Sequence, residues 1–278
     1  MKVRSVLRGL VVATVLAMLA ALLPQLATAA PSGASGRYLV VARSSADYAG
    51  LRAKAVKSGA HVLGDLRRAN TIVVNASASA RSSLAADSRT LGVAKDQIRK
   101  LDSERSKPNL SAPGLRSATQ LRATAPAATT AAGINPDPAW DYKGLLWDYR
   151  RIGLPQGWKT TAGSSAVTVG VADTGLDFTH RELASKVKQV VDFTTTEDPP
   201  ICKTFFDPPI GDEDLAARFG GPVQTDWNGH GSWIGGRIAA ALNGTGINGI
   251  APKVNLVALK ISQWCGSAYD STILAAFL

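Results

Sequence analysis

Apolar and polar positions follow a regular pattern in the first part of the chain, between residues 36 and 101. Short apolar runs are separated by segments in which apolar residues recur at helical spacing, and this order predicts β-α-β-β-α-β. We expect these elements to form a small, two-layered α+β domain of the ferredoxin-like kind. The predicted strands cover residues 37–43, 61–63, 71–74 and 93–98, and the predicted helices cover residues 47–59 and 79–91.

A second pattern begins at Trp140, where apolar strands alternate with helically spaced segments. This alternation predicts an α/β fold with a doubly wound, mostly parallel sheet. Such a domain does not normally end inside an apolar helix after three strands, so we expect the sequence to be the amino-terminal part of a larger domain. The predicted strands cover residues 167–173, 187–193 and 254–261, and the predicted helices cover residues 231–242 and 271–278.

The first 29 residues have the pattern of a secretory signal peptide, with Lys2, Arg4 and Arg8 before an apolar run from Leu10 to Leu23. The small residues Ala27-Thr28-Ala29 supply a cleavage site. The alternative, a transmembrane anchor, is disfavoured because the apolar run is short for a span of about 20 residues. We therefore expect a secreted, extracellular protein that has no membrane contact after signal cleavage.

Residues 102–139 lack periodicity and are rich in Ser, Thr, Ala and Pro, which is typical of a linker open to proteolysis. The alternative is a loop packed on a neighbouring domain. The linker interpretation divides the chain into a signal peptide at 1–29, a domain at 36–101, a linker at 102–139 and a second domain at 140–278.

The net charge of +10 comes from the first half of the chain. Residues 31–105 hold thirteen Lys and Arg against six Asp and Glu, whereas residues 141–278 hold twelve against fourteen. The basic residues are not interleaved with aromatic residues that could stack on bases. We therefore expect no nucleic acid partner.

The candidate chemistry lies in two motifs of the second domain. Asp173 ends a buried strand, and His230 precedes a predicted helix with a glycine on each side. A buried carboxylate that holds an imidazole is suited to general base catalysis. Taken singly, Asp173 also fits a turn or helix cap, and His230 also fits a structural histidine in the core.

The two motifs resemble those of the subtilisin-like serine peptidases. The carrying residues are Val171-Ala172-Asp173-Thr174-Gly175, then Asn228-Gly229-His230-Gly231-Ser232, then Gly249-Ile250-Ala251-Pro252. The resemblance implies that Asp173 orients His230, that His230 acts as general base, and that protein or peptide substrates are hydrolysed through an acyl-enzyme. It also implies that the domain at 36–101 is an inhibitory propeptide, which assists folding and is then cleaved away at a maturation site in the linker at 102–139.

No catalytic cofactor is implied by this resemblance, although family members often bind structural calcium. Glu182 and Asn243 stand where such ligands commonly occur.

Trp233 replaces a second histidine of the family pattern, so the surroundings of His230 are expected to differ. The nucleophile motif, Gly-Thr-Ser-Met-Ala or a variant, is not found in the 278 residues, and the oxyanion-hole Asn motif is also missing.

Residues 194–224 are predicted to be an irregular insertion, which holds Cys202 and the acidic residues Asp207, Asp212, Glu213 and Asp214. We interpret this stretch as a solvated surface loop, with calcium binding by the acidic cluster as the alternative.

In an oxidising compartment Cys202 and Cys265 can form a disulfide, and two buried thiols are the other option.

Two hypotheses about function follow. In the first, the sequence belongs to a secreted serine endopeptidase and, without its serine, is inactive as an isolated chain. In the second, it is a truncated, non-enzymatic product whose propeptide unit binds or inhibits a related peptidase.

Overall fold

The computed structural model describes residues 35–100, 146–194, 201–204, 210–244 and 246–278. The predicted signal peptide at 1–29 and the predicted linker at 102–139 lie outside these residues. The chain divides into two compact units, and the boundary falls between Gln97 and Ile98. None of the described helices is long and apolar enough to cross a membrane.

The first unit is a four-stranded antiparallel sheet with two helices on one face. Its strands pair in the order β2-β3-β1-β4. Alternate strand residues such as Val40, Ile72 and Val74 pack against Leu51 and Leu84 of the helices, and this packing forms the core. The elements are β1 (Gly36–Ala42), α1 (Ser45–Lys57), β2 (His61–Leu66), a 3₁₀ turn (Arg67–Ala69), β3 (Thr71–Ala76), α2 (Ala78–Ala85) and β4 (Thr90–Lys95).

The second helix of this unit is shorter than predicted. The apolar spacing extends it to Leu91, but α2 ends at Ala85 and Leu91 lies in β4. The hydroxyl of Thr90 donates to the carbonyl oxygen of Leu84 at 2.7 Å, and Asp87 accepts from the backbone NH of Arg89 at 3.0 Å. These bonds form a turn where the sequence pattern indicates further helix.

The second unit is built on a parallel sheet of three strands in the order β6-β8-β7. The helix α7 packs on this sheet, and Leu176, Leu256 and Ala239 belong to the core between them. A Cβ on Gly235 of α7 would lie 2.7 Å from Leu176 Cδ2, so the helix packs closely because this residue is glycine. The elements are β5 (Ile98–Lys100), α3 (Trp147–Arg151), α4 (Leu154–Gly157), β6 (Thr168–Asp173), β7 (Val187–Asp192), α5 (Ile201–Thr204), α6 (Asp212–Phe219), α7 (His230–Ala239), β8 (Asn255–Lys260), β9 (Ser267–Tyr269) and α8 (Asp270–Ala276).

The prediction of an irregular insertion at residues 194–224 is wrong in part. The helices α5 and α6 lie within it, and the cluster Asp212, Glu213 and Asp214 forms the first turn of α6. The carboxylate of Asp214 accepts from the backbone NH of Gly211 at 2.7 Å. Acidic side chains favour the first turn of a helix because they accept from its unpaired NH groups, and Asp214 is placed in this way.

Candidate active site

Asp173 is the last residue of β6 and is 6% exposed. The sheet register places it beside Lys260, the last residue of β8. In a parallel sheet the carboxyl ends of the strands share one edge, and sites form beyond that edge. The carboxylate accepts from the backbone NH of Thr174 at 2.7 Å. Its other lone pairs can accept from a second partner.

His230 is the first residue of α7. The residue before it, Gly229, has φ 93°, a conformation that a residue with a side chain rarely adopts. On the other side, a Cβ on Gly231 would lie 2.0 Å from the carbonyl oxygen of Gly175. Gly229 thus permits the backbone turn into α7, and Gly231 permits the close approach of the helix to the turn after β6.

The imidazole of His230 and the carboxylate of Asp173 are paired. His230 Nδ1 lies 2.8 Å from Asp173 Oδ1 and 2.9 Å from Oδ2. A carboxylate only accepts hydrogen bonds, so this contact assigns a proton to Nδ1. The side chain of His230 is 41% exposed. Neutral imidazole then has a basic Nε2 in a partly open position, which is the arrangement of a general base.

Asp226 fixes the backbone that leads into α7. Its carboxylate accepts from the backbone NH groups of Gly229 at 2.8 Å and Ser232 at 2.7 Å. It also accepts from the hydroxyl of Thr174 at 2.7 Å, and that hydroxyl accepts from the NH of Gly231 at 3.0 Å. Thr174 is thus hydrogen-bonded to Gly231 directly and to Gly229 through Asp226. These bonds fix the position of the Asp173 motif relative to the His230 motif.

Lys260, beside Asp173 in the neighbouring strand, is a buried cation that was not predicted from the sequence. Its side chain is fully buried, and Nζ donates to the carbonyl oxygens of Thr174 at 2.7 Å and Thr225 at 3.1 Å. These carbonyls belong to the residue after Asp173 and the residue before Asp226. The available signal was a lysine at the end of a strand whose four preceding residues are apolar.

Asp212 neutralises this lysine, with its Oδ2 2.8 Å from Lys260 Nζ. The residue is 1% exposed. Burial raises the pKa of its carboxyl, while the ammonium of Lys260 acts in the opposite direction. The interpretation of this acid as part of a solvated loop is therefore wrong, because Asp212 is the counter-ion of a buried lysine.

Further contacts attach the insertion to the segment between β8 and β9. Cys202 and Cys265 are joined in a disulfide. The backbone NH of Trp264 donates to Asp212 Oδ1 at 2.9 Å, and its indole donates to the carbonyl oxygen of Ile210 at 2.8 Å. The side chain of Asn228 donates to the carbonyl oxygen of Trp264 at 2.6 Å, and this bond connects the same segment to the residues before His230.

Glu182 and Asn243, the expected calcium ligands, lie together. The amide nitrogen of Asn243 donates to Glu182 Oε2 at 3.1 Å, whereas Ca²⁺ takes six to eight oxygen ligands. Among the residues that the structure describes, no group of three or more His, Cys, Asp or Glu side chains could hold a metal.

Trp233 stands where the resemblance leads one to expect histidine, and it is 53% exposed. Its ring centroid lies 6.3 Å from that of His230, and the planes are tilted by 43°. The guanidinium of Arg237 lies 6.0 Å from the Trp233 ring and 4.3 Å from the ring of Tyr149. Trp233 is thus an exposed aromatic side chain beside His230, while Arg237 is paired with Asp148 and lies against the buried ring of Tyr149.

Residues 164–277 match the family model of Peptidase_S8, the subtilase family. A thermophilic serine proteinase of Bacillus sp. (strain AK1) is 29% identical over 138 residues, which are 49% of this chain and 28% of that protein. Thermitase of Thermoactinomyces vulgaris is 32% identical over 120 residues, which are 42% of this chain and 34% of that protein. The chain thus spans about a third or less of the length of these curated relatives.

The crystal structure of fervidolysin from Fervidobacterium pennivorans, described as a keratinolytic enzyme related to subtilisin, has the same fold. It aligns with a TM-score of 0.56 and 18% identity over 89% of this chain and 34% of that one. Residues 164–277 therefore match the subtilase (Peptidase S8) family, and the relatives that the chain matches include serine proteases. This confirms the family resemblance seen in the motifs.

The ion pair of Lys260 and Asp212 gives a prediction about stability. The substitution Lys260→Met leaves Asp212 buried without its cation, and we expect it to destabilise the second unit by about 3 to 5 kcal/mol. The double variant Lys260→Met with Asp212→Leu removes both charges and should recover most of this loss. Differential scanning calorimetry measures both effects.

A matched control for this experiment is Lys186→Met. Lys186 is a partly buried lysine that donates to the carbonyl oxygen of Pro252 and is not paired with an acid in that bond. Its substitution should cost much less than that of Lys260. Equal losses for the two single variants, or no recovery in the double variant, would contradict the assignment of Asp212 as the counter-ion.

Proposed function

We propose that the chain is the amino-terminal part of the precursor of a secreted serine endopeptidase, in which Asp173 and His230 are two members of an Asp-His-Ser triad. The observation that supports this most strongly is the contact of His230 Nδ1 with both carboxylate oxygens of Asp173 at 2.8 and 2.9 Å. The match of the surrounding segment to the subtilase family supports the same reaction class.

In this mechanism Asp173 holds the proton on Nδ1, so that Nε2 of His230 is the base. Nε2 takes the hydroxyl proton of a serine while the serine oxygen attacks the peptide carbonyl. The imidazolium then gives the proton to the leaving amine as the peptide bond breaks, and an acyl-enzyme remains. Water hydrolyses the acyl-enzyme by the same proton transfers. Asp173 stabilises the imidazolium in both halves of the reaction.

We further propose that the serine is contributed by polypeptide other than these 278 residues. The sequence contains no Gly-Thr-Ser-Met-Ala motif or close variant. Ser262, Ser267 and Ser271 are buried, and the hydroxyl of Ser262 donates to the carbonyl oxygen of Gln263 at 3.0 Å. A buried hydroxyl bound in this way is not placed to be a nucleophile.

The 278-residue chain should therefore hydrolyse no peptide substrate and take no label from a fluorophosphonate. The coding DNA after Leu278 should continue in frame into the Asn and Ser motifs, and the protein with that extension should be labelled. His230→Ala in the extended protein should abolish labelling, since no base remains to activate the serine. Stoichiometric labelling of the 278-residue chain would contradict the assignment, as would full labelling of the His230→Ala variant.

The precursor organisation is part of the same proposal. Residues 1–29 direct export to the extracellular space, residues 36–101 act as an inhibitory propeptide, and residues 102–139 contain the maturation site. The substrates of the mature enzyme are proteins or peptides. The four-stranded sheet with two helices, which has its own core, supports an independent role for the propeptide region.

A specific contact favours inhibition by this region. Within the second unit, β5 pairs antiparallel with β9, and their paired residues run from Ile98 with Tyr269 to Lys100 with Ser267. An extended peptide that adds to the edge of a sheet gains backbone hydrogen bonds, which is a common mode of peptide binding. The segment that follows the first unit thus occupies a strand edge in the protease domain.

A polypeptide of residues 31–105 should therefore slow a subtilisin-like peptidase at micromolar concentration or below. The measurement is the initial rate of a chromogenic peptide substrate at increasing concentrations of the polypeptide. A polypeptide that stops at Gln97, and so lacks β5, is the control and should inhibit more weakly. Absence of inhibition across several such peptidases would count against the propeptide assignment.

A further inference from the structure

The strand β9 presents a peptide-binding edge in the second unit. Among the described strands it pairs only with β5, and all three of its residues are buried. Since β5 is attached by strand pairing, another extended peptide of suitable sequence can take its place. The backbone bonds of such a pairing give affinity for any extended peptide, so selectivity must come from side chains.

Arg99, the central residue of β5, makes a two-point contact with Asp270. Arg99 Nε donates to Asp270 Oδ1 at 2.8 Å, and Nη2 donates to Oδ2 at 3.1 Å. The side chain of Asp270 is 16% exposed and that of Arg99 is 47% exposed. The planar guanidinium matches the carboxylate in a geometry that neither lysine nor a neutral side chain reproduces.

The backbone at Asp270 is anchored independently of the arginine partner. It follows β9 directly and is the first residue of α8. The segment before β9 is held by the disulfide of Cys265 and by the two hydrogen bonds of Trp264 to the insertion. The backbone that carries this carboxylate is therefore preorganised, so a ligand does not have to order the strand edge on binding.

The edge is also connected to the catalytic pair. Trp264 accepts from the side chain of Asn228, and the side chain of Asn228 accepts from the backbone NH of His230 at 3.2 Å. Because β5 runs antiparallel to β9, its carboxyl end at Lys100 lies beside Ser267, on the side of β9 that leads to Trp264. A peptide bound like β5 therefore runs toward His230 from its amino to its carboxyl end.

We propose that Asp270 makes this edge selective for extended peptides that carry an arginine on the amino-terminal side of the cleaved bond. The inference rests on the proposed function in one respect, that a peptide on this edge is a substrate. Arg99 of the chain itself occupies the position of the selected arginine. Peptides with a neutral or acidic residue there lose the contact and leave the carboxylate of Asp270 without its partner.

The first test measures the contact within the full chain. Hydrogen exchange of the backbone amides of residues 267–269 should be about fivefold faster in Arg99→Gln than in the unmodified chain, because the strand pairing loses its ion pair. Arg89→Gln is the matched control, since Arg89 makes a similar two-point contact with Asp87 in the first unit. Unchanged exchange in Arg99→Gln would overturn the proposal.

The second test measures selectivity directly, in the full-length Arg99→Gln chain. The probes are a fluorescent peptide Ala-Ile-Arg-Lys-Ala and the same peptide with citrulline, an uncharged analogue of the same shape, in place of arginine. Fluorescence anisotropy should give a dissociation constant about fivefold lower for the arginine peptide. Adding Asp270→Asn should make the two constants equal. Equal binding to the chain with Asp270, or no saturable binding of either peptide, would overturn the proposal.

These measurements need no catalysis, so their failure is distinct from a failure of the proposed function. If the chain binds the arginine peptide selectively but fluorophosphonate does not label the extended protein, the binding site at Asp270 is supported and the proposed peptidase activity is refuted. If fluorophosphonate labels the extended protein but the two peptides bind equally, only the proposed role of Asp270 is refuted.

Discussion

The second unit depends on how a carboxylate is accommodated at the buried end of β6. An unpaired charge there would be costly, and the structure provides His230 Nδ1 and the backbone NH of Thr174 as partners. Asp226 and Lys260 then hold the segments on either side of this contact. The start of α7 and the end of β6 are therefore positioned by the same set of polar contacts that define the candidate active site.

The insertion between β7 and α7 is a structural support for this site. It supplies Asp212 as the counter-ion of Lys260 and Cys202 as the disulfide partner of Cys265. Both contacts reach the segment from β8 to β9, which lies next to Asn228 on one side and carries Asp270 on the other. One anchored segment thus connects the proposed catalytic pair with the proposed selective edge.

The sequence was sufficient for features that depend on local patterns. The strand that ends at Asp173 and the helix that begins near His230 follow from apolar periodicity, and the family resemblance follows from the motifs around these two residues. The roles of Asp212 and Lys260 could not be predicted in the same way, because they lie 48 residues apart and only the fold pairs them. The early end of α2 depended on Thr90, whose bond to Leu84 outweighs the helical spacing of the next apolar residues.

The most direct test of this account is a nuclear magnetic resonance measurement of the His230 ring in the 278-residue chain labelled with ¹⁵N-histidine. The account predicts a downfield Nδ1 proton signal that is protected from exchange with water by Asp173 and disappears in Asp173→Ala. His180 should not contribute such a signal, since its Nδ1 accepts from the backbone NH of Glu182 at 3.3 Å. Absence of the signal, or its persistence in Asp173→Ala, would contradict the account.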